Sequence, residues 1–205
     1  MEGYRKQMYK VIVLGDAGVG KTALLNRYVN ERFTQFYRST VGADFMSKDL
    51  RYDDRNITLR IWDTAGQERF QSLSGAFYRG SDCCILAFDI TNTDSFAHLD
   101  DWRDGFLATV SPKDPNKFPF ILVGCKSDLA EERVVSLEDA QEWCKNHGNI
   151  PYFEVSAKEN INVTKAFNDV ARLVTEKEKD EEVFTIKAVK LKESTSEKPK
   201  TAGCC

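Results

Sequence analysis

The sequence predicts an α/β fold: a six-stranded, mostly parallel sheet with one antiparallel edge strand and helices on both faces. Three observations carry it. Short apolar runs alternate with amphipathic stretches, as in a parallel sheet covered on both sides. A single pair of runs is joined too tightly for a crossover helix. A glycine-bounded loop ending in lysine and threonine stands between the first run and the first helical stretch. At 205 residues and 41% apolar composition the chain suits one compact domain with a tail.

The elements follow in order. Tyr9–Leu14 reads as a buried strand, and ALLNRYVN after the loop as a helix. Ala43–Tyr52 and Ile57–Asp63, separated by Asp53-Asp54-Arg55-Asn56, form the antiparallel hairpin. Cys83–Ile90, Phe118–Gly124 and Tyr152–Val155 are further buried strands. Ser136 with Asp139 makes a capping box that opens a helix to about Lys145, and Val163, Phe167, Val170 and Val174 mark the inner face of another. From about Glu176 the pattern gives way to EKEKDEE and a polar mixture too poor in apolar groups to repay its ordering. The expected division is one folded domain over 1–178 and a flexible tail over 179–205.

Composition narrows the function. Lys+Arg 29 against Asp+Glu 32, net −3, supplies no basic field to gather nucleic acid, so any phosphate site is local. MEGYRKQMYK lacks the apolar core of a secretory signal, and no stretch of 18 apolar residues occurs, which points to the cytosol. The six cysteines show no metal-type spacing and are expected as free thiols, with the terminal pair Cys204 and Cys205 read separately.

Gly15, Gly20, Lys21 and Thr22 satisfy G-x-x-x-x-G-K-[ST] in strand–loop–helix context. Small residues let successive backbone N–H groups turn inward around phosphate oxygens. Lys21 neutralises the outer phosphates, the helix N-terminus favours anions, and the Thr22 hydroxyl can ligate Mg²⁺. The loop leaves the base open, since ATPases, nucleotide kinases and GTPases share it. Cys125-Lys126-Ser127-Asp128 and Ser156-Ala157-Lys158, each at the C-terminal end of a strand, decide it. The Asp128 carboxylate can accept from guanine's ring N–H and its exocyclic amine, a paired donor that adenine lacks.

GDAGVGKT, STVGADF, WDTAGQE, CKSD and SAK, in that order over about residues 8 to 178, resemble the small GTPase superfamily with its P-loop fold. WDTAGQERF, FYRGSDCC and the terminal Cys pair resemble its Rab branch; YVNERF, VGADF, DDWRDGFL and NIPYFEVSAKENINV are most similar to late-endosomal and lysosomal members. The resemblance implies that Gly15, Asp16, Ala17, Gly18, Val19, Gly20, Lys21, Thr22 and Ala23 wrap the phosphates. Phe33 closes over the base and Tyr37 joins the nucleotide contacts. Lys126 lies against purine and ribose, Asp128 reads the guanine edge, and the Ala157 backbone donates to the guanine carbonyl, with Ser156 and Lys158 shaping that turn. Thr22 and Thr40 are metal ligands, and Asp63 holds a metal-bound water. Gln67 positions the attacking water, and Gly66 follows the γ-phosphate, so segments near 34–42 and 64–80 order with GTP and relax with GDP.

Two positions depart from the pattern. Cys125 stands where the family carries Asn, and a thiol is a poor substitute for an amide that ties base to phosphate loop; the loss is about 1–3 kcal/mol, giving weaker or faster-exchanging nucleotide. Ala17 stands where Gly or Ser is common, and its methyl group is expected to crowd the γ-phosphate and slow hydrolysis.

Partners are implied in the same way. Gln67 is a poor base, and no arginine is supplied in cis, Arg38 and Arg69 being expected in surface salt bridges; an activating protein then brings the arginine, or arginine and glutamine, in trans. Phe45, Trp62 and Phe77 resemble a triad that meets effectors, with core packing of the hairpin as the competing reading. The GCC terminus matches a double-prenylation signal, which implies membrane attachment on the cytoplasmic face, an exchange factor and a prenyl-masking chaperone. The function expected is GTP hydrolysis by a vesicle-traffic switch, the alternative a nucleotide-loaded effector-binding module with negligible turnover.

Overall fold

A computed structural model describes residues 7–36, 40, 42–65 and 76–193, with side chains described to residue 179. The chain divides into two units, 1–174 and 175–205. The first holds a six-stranded sheet in the order β2-β3-β1-β4-β5-β6. Its strands are β1 (Gln7–Leu14), β2 (Ala43–Tyr52), β3 (Arg55–Thr64), β4 (Cys83–Asp89), β5 (Phe120–Cys125) and β6 (Tyr152–Val155). β2 runs antiparallel to β3, and every other pairing is parallel. This is the six-stranded arrangement expected from the alternation of apolar runs.

Two strand boundaries differ from expectation for local reasons. Tyr52 pairs with Arg55, so the hairpin turn is Asp53-Asp54 alone, with Asp53 at φ 49. A short polar side chain tolerates that left-handed backbone. β5 starts at Phe120 because Pro119 has no N–H to give the ladder; its carbonyl accepts from Cys84 N at 3.0 Å instead. At the other end β5 extends to Cys125, which pairs with Val155 of β6 and Asp89 of β4. That register brings the ends of three strands to one level.

The helices are α1 (Lys21–Asn30), α2 (Thr93–Ala97), α3 (Leu99–Val110), α4 (Leu137–Asn146) and α5 (Val163–Glu193). Successive strand residues point to opposite faces, and β1 feeds both. Val11 and Val13 join Leu24, Leu25 and Tyr28 of α1 and Val163, Phe167, Val170 and Val174 of α5. Ile12 and Leu14 join Leu99, Trp102 and Phe106 of α3 and Ala140 and Cys144 of α4. The Tyr28 and Phe167 rings stack at 3.8 Å, clamping α1 to α5 over the sheet. Ser136 caps α4 as its spacing predicts, accepting from Asp139 N at 2.9 Å.

The last helix runs further than its composition suggests. α5 continues to Glu193 rather than dissolving near Glu176. Glu, Lys and Ala are good helix formers, and neither Gly nor Pro interrupts the segment. Of the second unit, the described part is the run 175–193. Among the described residues no helix is long and apolar enough to cross a membrane.

Candidate nucleotide-binding site

The C-terminal ends of the parallel strands carry the site. Between β1 and α1 the loop passes so close to β4 that a Cβ on Gly15 would lie 2.0 Å from the Ala87 carbonyl oxygen, and Gly15 has φ 141. Glycine is therefore forced here by both space and backbone. Val19 is buried, Ala17 and Gly18 are exposed, and Gly20 forms the N-cap of α1 at φ 114. Lys21 is 5% exposed and folds back over the loop, donating to Gly15 O at 2.6 Å and Asp16 O at 2.8 Å. Burial pushes its ammonium down to about 8, against the opposing pull of the Asp63 carboxylate. A buried cation held by carbonyls at a helix N-terminus is suited to receive phosphate.

The Asp16 carboxylate is gripped from α3. Trp102 Nε1 donates to Oδ1 at 2.8 Å, and His98 Nδ1 lies 2.7 Å from Oδ2. The hydrogen bond to Asp16 raises the His98 imidazole above its usual pKa. Sequence reasoning missed both partners, which lie more than 80 residues away.

Beside Lys21, three oxygen groups from three elements converge. Thr22 Oγ1 and Thr40 Oγ1 are 2.9 Å apart, and both hydroxyls donate to Asp63 Oδ2, at 2.5 and 3.4 Å. Asp63 is fully buried on β3, opposite Val13 of β1. Its second oxygen, Oδ1, is buried with no hydrogen-bond partner among the described residues. Burial raises its pKa, more than the Thr22 and Lys21 contacts lower it. An under-satisfied carboxylate oxygen among hydroxyls is a hard-oxygen set, which fits magnesium and the water it keeps.

The base side of the site begins at β5. Cys125 is a free, buried thiol, and burial pushes it up to about 12, so it is inert as a nucleophile. A Cβ on Gly20 would lie 3.5 Å from Cys125 Cβ, so this side chain packs beside the phosphate loop. Lys126, at φ 64, turns its ammonium onto Asp89 Oδ2 at 2.5 Å. Asp89 also accepts from Thr91 N and Oγ1, and it went unread in the sequence although an acid closing a fully buried strand is a signal. Asp128, with a side chain 12% exposed, accepts from Ser156 Oγ at 2.6 Å and lies 4.0 Å from Lys158 Nζ. Ser156 is itself fully buried and receives Glu159 N at 3.0 Å. The structure thus brings Lys126, Asp128, Ser156, Ala157 and Lys158 to one end of the sheet, next to the loop 15–23.

Other expected residues are placed less closely. Phe33 is half-buried after α1, and Ala23 is half-buried in its first turn. Phe45, Trp62 and Phe77 form a chain of tilted rings with centroids 5.3 and 5.5 Å apart. Phe45 is 47% exposed while Trp62 and Phe77 pack against the core, so the triad serves packing and surface at once. Tyr37, Arg38, Gly66, Gln67, Arg69, Cys204 and Cys205 lie outside the described residues.

A phosphate loop, an oxygen cluster and a carboxylate-bearing turn at one sheet edge define a nucleotide site, and comparison names its class. The Ras family model matches residues 10–176. The chain belongs to the Ras family. Within it, this protein is 59% identical to the Ras-related protein Rab-7a of Paramecium octaurelia over the full length of both chains. It is 52% identical to the Ras-related protein Rab-7a of Dictyostelium discoideum over 98% of each, and 48% identical to the Ras-related protein Rab7 of Pisum sativum over 100% of this chain and 99% of the other. These likenesses put this Ras-family chain in the Rab branch, as WDTAGQERF, FYRGSDCC and the terminal cysteines led one to expect. It is accordingly a Rab GTPase, a hydrolase of GTP that works with guanine nucleotide, regulators and effectors.

Proposed function

We propose that the site assembled at the C-terminal sheet edge binds GTP with magnesium and uses hydrolysis to time a vesicle-traffic switch of the late-endosomal and lysosomal pathway. The observation that carries this reading is the meeting of Thr22, Thr40 and Asp63. It joins the phosphate loop to a segment far along the chain through groups that suit a phosphate-bound cation. The residues 15–23 cradle the phosphates, Lys21 neutralises the outer ones, and Thr22 and Thr40 hold magnesium with Asp63 fixing a water of its shell. Bound magnesium supplies charge neutralisation on the phosphate oxygens.

Asp128 accepts from guanine's N1–H and 2-amine, held for that task by Ser156 Oγ. The Ala157 N–H donates to the guanine 6-oxygen, the Lys126 stem lies along the purine, and Phe33 and Tyr37 close the base side. In the reaction a water oxygen bonds to the γ-phosphorus as the bond to the β–γ bridging oxygen breaks, releasing GDP and phosphate. Gln67 orients that water; as a neutral amide it takes up little of the proton, so turnover is slow until an activating protein supplies an arginine. Loss of the γ-phosphate frees Thr40 and Gly66, and the surface around Phe45, Trp62 and Phe77 changes for its effectors.

The 179–205 segment is read as the membrane arm. Two lipids on Cys204 and Cys205 hold the domain on the cytoplasmic face of an endosomal membrane, whereas one chain would detach readily. A cytosolic pool then requires a chaperone that masks the lipids and an exchange factor that reloads GTP.

Chromatography of nucleotide released from the purified protein tests the base assignment: GDP or GTP is expected, and ATP or ADP overturns it. Phosphate release then tests the chemistry. Gln67→Leu is expected to lower activator-stimulated turnover by about a hundredfold or more, in the range of a lost water-positioning group in this class. A wild-type protein that never releases phosphate, with or without activator, would leave only a binding module.

A further inference from the structure

The guanidinium of Arg27 is directed wholly at backbone oxygen. Arg27 lies in the last turn of α1, the helix that opens with Lys21 and Thr22. Its Nε donates to the Ala157 carbonyl at 2.7 Å, its Nη2 to the Lys158 carbonyl at 3.1 Å, and its Nη1 to the Glu31 carbonyl at 3.0 Å. The first two bonds span 130 and 131 residues of sequence. Charge-assisted donors in a rigid fork fix the geometry of what they grip more firmly than neutral ones. What they grip is the turn between β6 and α5 on which Ala157 stands.

The other ties on that turn run to Asp128 or stay within the turn itself. Ser156 Oγ donates to Asp128, Ser156 N and Ile161 N exchange backbone bonds with each other's carbonyls, and Asn162 Nδ2 donates to Glu154 O. Arg27 reaches it from another element, the helix that continues the phosphate loop. Cys125, which sits between the two halves, touches the loop by packing.

We propose that Arg27 is a positioning residue for base recognition, coupling α1 to the 156–158 turn so that the Ala157 N–H meets the purine 6-oxygen. This rests on the reading of Asp128 and Ala157 at the guanine edge given above. Arg27 acts on the donor from outside the nucleotide contacts, through the two peptide groups that follow it. Its loss therefore weakens one contact, that to the 6-oxygen, and leaves the 1- and 2-positions to Asp128.

Dissociation of GDP and of 6-thio-GDP from the full-length protein, chased with excess GTP, separates this from a general loosening of α1. Sulfur at the 6-position accepts hydrogen bonds poorly, so it has little of this contact to lose. Arg27→Ala is expected to speed GDP release about tenfold, the scale of one hydrogen bond to a strong donor, and 6-thio-GDP release by less than half that factor. Arg27→Lys keeps a charge but not the fork and is expected to fall between, at roughly threefold; it carries the comparison if the alanine variant fails to fold. An unchanged GDP rate, or the same factor for both ligands, overturns the proposal. Asp128→Asn tells that failure from failure of the underlying reading, because it should shift preference from GDP toward xanthosine diphosphate. Without that shift the guanine-edge reading falls, and the proposal falls with it.

Discussion

Asparagine at position 125 is expected to slow GDP dissociation by about tenfold, because an amide can hydrogen-bond where the thiol only packs. Stopped-flow release of a fluorescent GDP from Cys125→Asn and wild type measures it, and an equal rate would mean that the thiol costs nothing. The structure sharpens this expectation, since Cys125 lies beside Gly20 and any group at 125 bears on the phosphate loop as well as the base turn. The same thiol is too deeply buried to ionise near neutral pH, so its effect is one of missing contacts and not of reactivity. At this scale the sequence was legible wherever chemistry is local. The lysine, the threonine and the carboxylate of the three motifs declare themselves by type and spacing. Asp89, Arg27, His98 and Trp102 do not, because what each does depends on a partner brought by another element.

Elements show how a pair of ordinary residues can secure one end of the sheet. Arg133, just after the Ser127–Glu132 turn, meets Glu154 of β6 in a bidentate pair, 2.7 Å on each arm, with Tyr152 OH donating to the same carboxylate at 2.9 Å. The Arg133 hydrogen bond holds the Glu154 carboxyl below its ordinary pKa. A carboxyl depressed in the folded state contributes stability that is fully present above its unfolded pKa and is lost as pH falls through the folded one. The pair is mostly shielded, with side chains 26% and 21% exposed, and about 1 kcal/mol is expected from it at neutral pH. Urea unfolding of wild type and Glu154→Gln should therefore differ by that amount at pH 7, with the gap closing only as pH falls below the ordinary carboxylate range and through the depressed folded pKa; a gap that never narrows on acidification would assign the effect to packing. The capping box of α4 and the inner face of α5 were readable because both follow helical period alone. The strand ends were not, since Pro119 and the two-residue turn at Asp53 shift the hydrogen-bond ladder by a residue or two.

For the whole molecule, the proposed membrane arm carries the prediction. Replacing Cys204 and Cys205 by Ser is expected to move the protein from the membrane pellet to the supernatant in cell fractionation, because two lipids hold a protein on a bilayer stably, and among the described residues no helix is long and apolar enough to cross one. Retention in the pellet would remove the lipid anchor from the account. By itself the sequence determined the α/β class, the six strands, the antiparallel hairpin and the identity of the chemical groups, all of which depend on apolar period and on residue type at fixed spacing. Only the tertiary structure decided which distant groups share a hydrogen bond. The register of β1 against β3 sets Asp63 beside the phosphate loop, α3 reaches Asp16, and α1 sends Arg27 to the base turn. Such contacts join positions up to 131 residues apart, and no local pattern records them, because they follow from how the layers stack and not from the preferences of any one segment.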